Sequence, residues 1–164
     1  MKDCYVVHAP MEARLKLSKE SSEKAVDATL YRSIIGSLRY LVHTRPDITF
    51  VVGYLSRFME APTSNHLAAV KHLLRYIAGT LKHGCVYRHG DGESLAGYSD
   101  SDHAGDMVSR KSTSGILFLL GNSPVSWQSV RQKVVATSLC EAGYIAAATA
   151  ACQGIWLARL LGRC

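Results

Sequence analysis

The 164-residue sequence lacks any long apolar run. A helix that crosses a bilayer needs roughly 18 or more consecutive, mainly apolar residues, and no stretch approaches that length. The start of the chain, Met1 to Tyr5, leads into polar sequence instead of the apolar core of a signal peptide. These absences predict a protein without membrane association that stays inside the cell, in the cytoplasm or the nucleus.

Paired cysteines are lacking as well. The five cysteines are odd in number and contain no Cys-x-x-Cys pair, which argues against a disulfide framework and against a zinc site. They are Cys4, Cys85, Cys140, Cys152 and Cys164. No Cys, Asp or Glu lies between His66 and His72, so these two are better explained as solvated or core histidines than as metal ligands.

Acidic residues are scarce in the first half of the chain. Residues 1–90 contain 13 Lys and Arg against 7 Asp and Glu, whereas residues 91–164 contain 6 of each. The whole formal net charge of +6 therefore belongs to the first half. Such an asymmetry suggests a surface that faces a polyanion, although lysine-rich solvated helix faces give the same pattern.

Helical spacing dominates the first half after a polar start. Residues 1–27 mix charges of both signs with few large apolar residues, which predicts an extended or loosely packed lead-in. Apolar residues then recur at helical spacing and predict three helices, over 30–44, 46–59 and 64–81. Pro46 suits the first turn of the second helix, and Asp47 beside it suits the positive end of the helix dipole. Residues 28–90 are thus expected to form a small helical subdomain.

Lys71, Arg75 and Lys82 form a basic stripe along the third predicted helix, separate from its apolar face. The functional interpretation is a row of phosphate contacts to nucleic acid. The structural interpretation is the solvated face of an amphipathic helix, and the sequence alone favours it.

After Gly79 the pattern changes from helical to alternating, with glycine-rich turns between the segments. Strands are predicted over 85–88, 95–102, 114–120 and 125–130, and a long last helix over 138–161. Antiparallel neighbouring strands followed by a helix predict an α+β fold for residues 91–164.

Three carboxylates lie close together in the string Tyr98-Ser99-Asp100-Ser101-Asp102-His103-Ala104-Gly105-Asp106. Because side chains alternate across a strand, Asp100 and Asp102 are predicted to share one face. Two like charges so close need water or a cation between them. The string therefore marks either a solvated strand end or a metal site.

Several strings, in a fixed order, carry a resemblance to a known family. In the first half they are Tyr31-Arg32-Ser33-Ile34-Ile35-Gly36-Ser37-Leu38-Arg39-Tyr40-Leu41, Thr44-Arg45-Pro46-Asp47-Ile48 and Leu74-Arg75-Tyr76-Ile77-Ala78-Gly79-Thr80. In the second half they are Gly97-Tyr98-Ser99-Asp100-Ser101-Asp102, Arg110-Lys111-Ser112-Thr113-Ser114-Gly115, Pro124-Val125-Ser126-Trp127 and Cys140-Glu141-Ala142 with Tyr144-Ile145-Ala146. Their order and spacing resemble the end of a copia-type retrotransposon reverse transcriptase that runs into the start of its ribonuclease H domain.

The resemblance implies a thumb-like helical segment followed by a truncated ribonuclease H-like fold of three antiparallel strands and the first helix. It also implies an activity, the hydrolysis of the RNA strand of an RNA–DNA hybrid with two magnesium ions. One ion activates the attacking water and the other stabilises charge on the leaving oxygen. Asp100 matches the family's first metal-ligand aspartate, and Asp102 and Asp106 belong to the same motif without being principal ligands.

The sequence departs from the family pattern at the next metal ligand. Where the family has Glu-Ala-Glu-Tyr, this chain has Glu141-Ala142-Gly143-Tyr144, so a glycine stands at the ligand position. Residues two apart on a helix point in nearly opposite directions, and Glu141 is therefore not expected to replace the missing ligand. A stripe of small residues suggests that position 143 faces the sheet: Gly143, Ala147, Ala150 and Gly154.

Two further ligand sets are expected to be incomplete. The family's third aspartate comes on a later strand, which is expected to be missing because the sequence ends at Cys164. Paired aspartates of a polymerase site do not occur in residues 1–60.

These features lead to three hypotheses. The first is a catalytically inactive relic of a retrotransposon Pol polyprotein, and the second is a weak magnesium-dependent ribonuclease that uses Asp100, Asp102 and Glu141. The third is a protein that binds an RNA–DNA hybrid or other nucleic acid through the basic stripe without cutting it. In all three, strand 95–102 is expected to form an exposed edge that favours self-association.

Overall fold

Asp27 begins the regular structure of the chain. The computed structural model describes residues 5–13, 15–19, 23–88, 90, 92, 94–106 and 108–162. In it, the Oδ1 of Asp27 accepts hydrogen bonds from the backbone N–H of Thr29 (2.8 Å) and of Leu30 (3.3 Å). Such a cap satisfies N–H groups that have no partner inside the helix. Helix α1 therefore covers Ala28–Leu41, so it begins two residues before the predicted start and ends three residues before the predicted end at residue 44.

The other predicted helices of the first half are present. Pro46 opens a 3₁₀ turn, Pro46–Ile48, which continues into α2, Thr49–Leu55, and a second 3₁₀ turn, Ser56–Phe58. Helix α3 covers Ser64–Gly79. The chain divides into two compact units after Gly84, and the helices form the first of them. Their apolar faces meet in one core, whose fully buried members include Tyr31, Ile35, Ile48, Leu55 and Leu73.

Apolar side chains in the described part of the lead-in contact this core. Val7, Met11 and Leu17 contact the core with partly buried side chains, and the backbone N–H of Leu17 donates to the hydroxyl of Tyr54 at 2.9 Å. A single β-bridge joins Ala25 to Thr63. Within the described residues of the lead-in there is no helix, and the apolar side chains occupy sites that the three helices leave open.

A buried arginine joins the start of the second helical segment to the end of α3. Arg45, only 5% exposed, donates to both carboxylate oxygens of Asp47 at 2.9 and 2.8 Å. It also donates to the carbonyl and the hydroxyl of Thr80 at 3.0 and 2.8 Å. The hydroxyl of Tyr76 completes the network by donating to Asp47 at 2.8 Å. The side chains of Arg45 and Tyr76 thus bind the Asp47 carboxylate. The interpretation of Asp47 as a helix-dipole residue did not predict these contacts.

The same network fixes where α3 ends. The Thr80 hydroxyl donates to the carbonyl of Tyr76 at 2.8 Å, and Thr80 leaves the helical conformation. The predicted continuation to residue 81 is therefore wrong. Leu81 is 77% exposed, and Lys82 lies beyond the helix.

His66 is a buried capping residue of α3. The backbone N–H of Thr63 donates to its Nδ1 at 2.9 Å, so the ring proton is on Nε2, which donates to the carbonyl of Ser18 at 3.0 Å. The ring also stacks on Phe58, with centroids 4.0 Å apart. Burial lowers the pKa of His66, while the hydrogen bond to Ser18 opposes that shift.

The second unit is a three-stranded antiparallel sheet with one helix. Strands β1, Leu95–Ser101, β2, Thr113–Leu120, and β3, Ser123–Arg131, follow in spatial order β1-β2-β3. Helix α4, Leu139–Leu160, starts at the N-cap Ser138 and packs on β1 and β2. These elements confirm the α+β prediction. The strand predicted over 85–88 is absent, because an alternating segment becomes a strand only when another strand pairs with it.

Phe118 is the centre of the second unit's core. It is 4% exposed and clusters with Ile116 and Leu157. Its ring lies over Gly97, its direct partner on β1, where a Cβ would come within 2.5 Å of the ring. Glycine at 97 therefore makes the room for this aromatic side chain.

None of the helices in the described ranges combines the length and the apolar character that crossing a membrane requires.

We expect Arg45→Ala to lower the free energy of unfolding of the helical unit by about 3 kcal/mol, because it leaves a partly buried carboxylate without its cation. Arg39→Ala, at an exposed position on α1, should change it by less than about 0.5 kcal/mol. Urea unfolding followed by far-ultraviolet circular dichroism measures both. Equal effects of the two substitutions would contradict the structural role of Arg45.

We also expect the helical unit to lose stability as pH falls. The folded-state pKa of His66 lies below the ordinary value, so its contribution is complete above about pH 6.5 and is lost as pH falls through the folded value. His66→Gln can still accept the Thr63 N–H, as glutamine does in capping boxes, but does not titrate. This variant should lack the pH dependence, while His83→Gln, an exposed control, should retain it in the same unfolding measurement.

Candidate functional site

Asp100 is the most exposed of the carboxylates that the sequence singles out on the sheet. It lies near the end of β1, where its Oδ1 accepts a hydrogen bond from the backbone N–H of Ser101 at 2.8 Å. Gly97 faces the Phe118 ring, and that ring also lies close to Gly154 of α4. Since side chains alternate along a strand, Asp100 projects from the sheet face that α4 does not cover.

Asp102 serves as a structural acceptor in the connection between β1 and β2. Its Oδ1 accepts a hydrogen bond from the backbone N–H of Thr113, while its own N–H donates to the Thr113 carbonyl at 3.1 Å. The carboxylate also lies against Gly105, where a Cβ would collide with it. The Asp102 carboxylate is thus directed toward Thr113 of the neighbouring strand, and the shared face of Asp100 and Asp102 stays a prediction.

Asp106 is buried and paired. Its carboxylate accepts from the Arg131 guanidinium at 2.6 Å and from the backbone N–H groups of Val108 (3.0 Å) and Ser109 (3.1 Å). Burial would raise the pKa of Asp106, but Arg131 and the donors of the loop together hold it well below the ordinary range. The carboxylate therefore ties the loop to the end of β3.

Two residues of this region were missed by the sequence analysis. Ser112 is completely buried and accepts from the backbone N–H of Ala104 at 3.1 Å. Gln132 is 6% exposed and donates to the Ser114 hydroxyl (3.0 Å) and to the carbonyl of Ala142 in α4 (2.9 Å). A polar residue that follows a strand gives no sequence signal for such a bridge between sheet and helix.

Glu141 binds to its own helix start. Its Oε2 accepts from the side chain and the backbone N–H of Thr137 at 2.5 and 2.6 Å, and these two bonds lower the pKa of Glu141. The backbone N–H of Glu141 in turn donates to the Ser138 hydroxyl at 3.1 Å. The carboxylate thus completes the N-terminal cap of α4.

The predicted stripe of small residues on α4 is partly wrong. Ala142 and Ala146 are the fully buried positions, whereas Ala147 is exposed. Gly143 is half-buried at the border of the packed face, and a Cβ there would meet no atom within 4 Å. Of the predicted stripe, Ala150 packs on the Phe118 cluster and Gly154 lies beside the Phe118 ring, whereas Ala147 does not share this face. Position 143 has open space beside it.

These carboxylates do not fit the magnesium site that the family resemblance implies. Two magnesium ions need several oxygen ligands that converge from separate elements. Within the described residues, no group of three or more His, Cys, Asp or Glu side chains comes together. Asp102, Asp106 and Glu141 are already hydrogen-bonded to backbone N–H groups nearby.

The basic residues of the first unit divide into two groups. Lys71 and Arg75 lie one turn apart on α3, whereas Lys82 follows the helix. Arg75 is half-buried, makes no hydrogen bond or ion pair within the described ranges, and lines a cavity of about 310 Å³ between α3 and the lead-in. Other lining residues include Met11, Glu12, Lys16, Asn65 and His72.

Comparisons with known proteins place the chain among retrotransposon sequences. It is 46% identical over 155 residues to the Retrovirus-related Pol polyprotein from transposon RE1 of Arabidopsis thaliana. The aligned region covers 94% of this chain and 11% of that polyprotein. It is 44% identical over 168 residues to the corresponding polyprotein from transposon TNT 1-94 of Nicotiana tabacum, covering 98% of this chain and 13% of that one.

A third relative is short. The Secreted RxLR effector protein 161 of Plasmopara viticola is 44% identical over 128 residues, which are 77% of this chain and 90% of that protein. No family model matches the chain, and no solved structure matches it significantly. The chain spans only about a tenth of the length of the Pol polyproteins that it matches. Identity of this level over nearly the whole chain shows that it belongs to the family of retrovirus-related Pol polyproteins of copia-type retrotransposons.

Proposed function

We propose that residues 91–164 form a ribonuclease H-like segment of Pol that does not hydrolyse RNA–DNA hybrids by itself. One observation carries the proposal. At the position where the family resemblance expects a metal-ligand glutamate, Gly143 has no side chain, and the nearby Glu141 carboxylate is bound to Thr137. The missing ligand is therefore not replaced from within α4.

The order of elements supports the ribonuclease H-like part of this proposal. Three antiparallel strands in the order β1-β2-β3 are followed by a long helix that packs on the first two. Asp100 lies on the first strand, where the resemblance expects the first metal ligand. Because no set of carboxylates converges within the described residues, the same elements make a scaffold there and not a complete active site.

The rival enzyme hypothesis needs Asp100, Asp102 and Glu141 to act together. Asp102 would have to release the backbone N–H of Thr113, and Glu141 would have to release the N–H and hydroxyl of Thr137. Release of the Thr113 N–H leaves a partly buried donor without its partner, which costs stability, whereas the donors of Thr137 are exposed and can bond water instead. The contacts therefore favour the inactive alternative.

The distinguishing experiment uses a labelled RNA–DNA hybrid with Mg²⁺ or Mn²⁺. We expect no metal-dependent cleavage by the purified chain, and no difference between it and the Asp100→Asn or Glu141→Gln variants. Cleavage that disappears in Asp100→Asn would overturn the proposal, and simultaneous loss in Glu141→Gln would favour the rival site. Asp27→Asn, a cap far from these carboxylates in sequence, controls for general effects of removing an aspartate.

Binding of nucleic acid without cleavage is a second candidate, favoured by one specific observation. Arg75 is half-buried and without a partner in the described part of the chain, and Lys71 is exposed one turn before it. Arginine presents several donors in a fixed geometry that suits phosphate oxygens. A backbone phosphate at this face would supply the missing partner.

Salt dependence tests this second candidate. Each neutralised phosphate releases counterions, so each lost contact reduces the slope of the logarithmic salt dependence by about 1. We expect Lys71→Ala with Arg75→Ala to reduce the slope by about 2, and Lys82→Ala by about 1. Arg39→Ala, which removes an exposed charge from α1, should leave the slope unchanged. Unaltered binding in the variants of the stripe would make it a solvated helix face.

A further inference from the structure

Two histidines of α3 bind the lead-in by the same kind of contact. The Nε2 of His66 and the Nε2 of His72 each lie 3.0 Å from a backbone carbonyl oxygen of the lead-in, that of Ser18 and that of Ala9 respectively. Because a carbonyl oxygen only accepts, both rings carry a proton on Nε2 and donate it. The lead-in between these two carbonyls, residues 9–13 and 15–18 of the described chain, therefore forms a strap along α3 with one histidine at each end.

The Ser18 end of the strap is bound to a ring in an uncharged site. His66 is 1% exposed, and its Nδ1 accepts the backbone N–H of Thr63 at 2.9 Å. Its hydrogen-bond and stacking partners in the described residues, Thr63, Ser18 and Phe58, are all uncharged. A proton on Nδ1 would face the Thr63 N–H, and burial accordingly lowers the pKa of His66.

Charged side chains on the segments around His66 have other partners. Those on the lead-in and on the turns beside α3 pair as follows: Lys19 with Glu60, Glu23 with the Ser64 hydroxyl, and Arg57 with the Tyr54 ring. None of these contacts supplies an anion to the ring. A protonated His66 therefore has to leave its site to reach water, and both of its ring hydrogen bonds are lost when it does.

The Ala9 end of the strap is bound to a ring that gains a partner when it takes up a proton. The Nδ1 of His72 lies 3.7 Å from a carboxylate oxygen of Glu12, which belongs to the strap itself. A proton on Nδ1 turns this contact into an ion pair and leaves the Nε2 donor to Ala9 in place. Lys16 and Arg75 line the same cavity, and their positive charges oppose part of this gain.

We propose that the strap opens from one end in mild acid. Protonation of His66 releases the Ser18 end from α3. The Ala9 end stays attached, because protonated His72 pairs with Glu12.

Release of the Ser18 end changes the cavity between α3 and the lead-in. The backbone N–H of Leu17 donates to the hydroxyl of Tyr54 at 2.9 Å, and Leu17 and Lys16 line this cavity of about 310 Å³. Both residues leave with the released end, so the cavity opens beside Asn65 and Ala68 of α3. The helical unit does not have to unfold, because the fully buried members of its core lie on the helical segments.

Amide hydrogen exchange of the whole chain between about pH 7.5 and pH 5 tests the release. After correction for the intrinsic pH dependence of exchange, the opening equilibrium at the Leu17 amide should rise about tenfold per pH unit below about pH 6.5, until the folded pKa of His66 is reached. The amide of Leu73, which is fully buried on α3, should not follow. An unchanged Leu17, or a parallel rise at both amides, would overturn the proposal.

Substitution of His66 identifies the group that titrates. His66→Gln should abolish the rise at Leu17, because glutamine still accepts the Thr63 N–H without taking up a proton. His83→Gln, at an exposed position, is the matched control and should keep the rise. A response at Leu17 that persists in His66→Gln, or that disappears equally in both variants, would contradict the role of His66.

Glu12→Gln tests the attachment of the other end. At pH 5 the Nε2 proton of His72, followed by ¹⁵N NMR, should exchange at least about threefold faster in this variant than in the wild type, because the charged ring has lost its carboxylate. The rise at Leu17 should remain. An unchanged His72 proton would refute the attachment through Glu12, and loss of the Leu17 response would show that the two ends do not act separately.

Discussion

The buried ion pair between Arg45 and Asp47 is the contact on which the helical unit depends. The Arg45 guanidinium donates to the carbonyl of Thr80, 35 residues later in the sequence, and the hydroxyl of Tyr76 donates to the Asp47 carboxylate. A cation that is 5% exposed is stable there only while its partners are present. The strings Thr44-Arg45-Pro46-Asp47-Ile48 and Leu74-Arg75-Tyr76-Ile77-Ala78-Gly79-Thr80, which both carry the family resemblance, are two sides of this one network. Their residues therefore have a structural reason to occur together.

Carboxylates play a comparable structural role in the second unit. Asp106 and Glu141 each accept a hydrogen bond from a backbone N–H within four residues of them in sequence, and Asp102 accepts one from the backbone N–H of Thr113 on the neighbouring strand. When only the sequence is known, acidic residues in a turn and acidic residues at a helix start look like the ligands of a metal site. Geometry separates the two possibilities, because no three of these acidic side chains come together within the described residues. Only Asp100 combines high exposure with a position that the family resemblance marks as a ligand.

The positions of the helices and of three strands were predictable because apolar periodicity reports which face of each element is buried. The errors arose where apolar periodicity gives no information about the buried face. Residues 85–88 alternate like a strand but do not join the described sheet, and the buried Ala142 and Ala146 of α4 lie one residue before the predicted Gly143 and Ala147. Among nearly uniform small residues, spacing does not reveal which side touches the sheet.

By itself the sequence determined the order of the elements, the membership of a retrotransposon Pol family and the absence of a carboxylate at Gly143. These properties are local, or depend only on the order of residues along the chain. The tertiary structure decided that Arg45 is buried, that Gln132 joins the sheet to α4, and that β2 lies between β1 and β3. Such facts depend on which distant groups meet, since the partner of a polar side chain and the neighbour of a strand are chosen by packing.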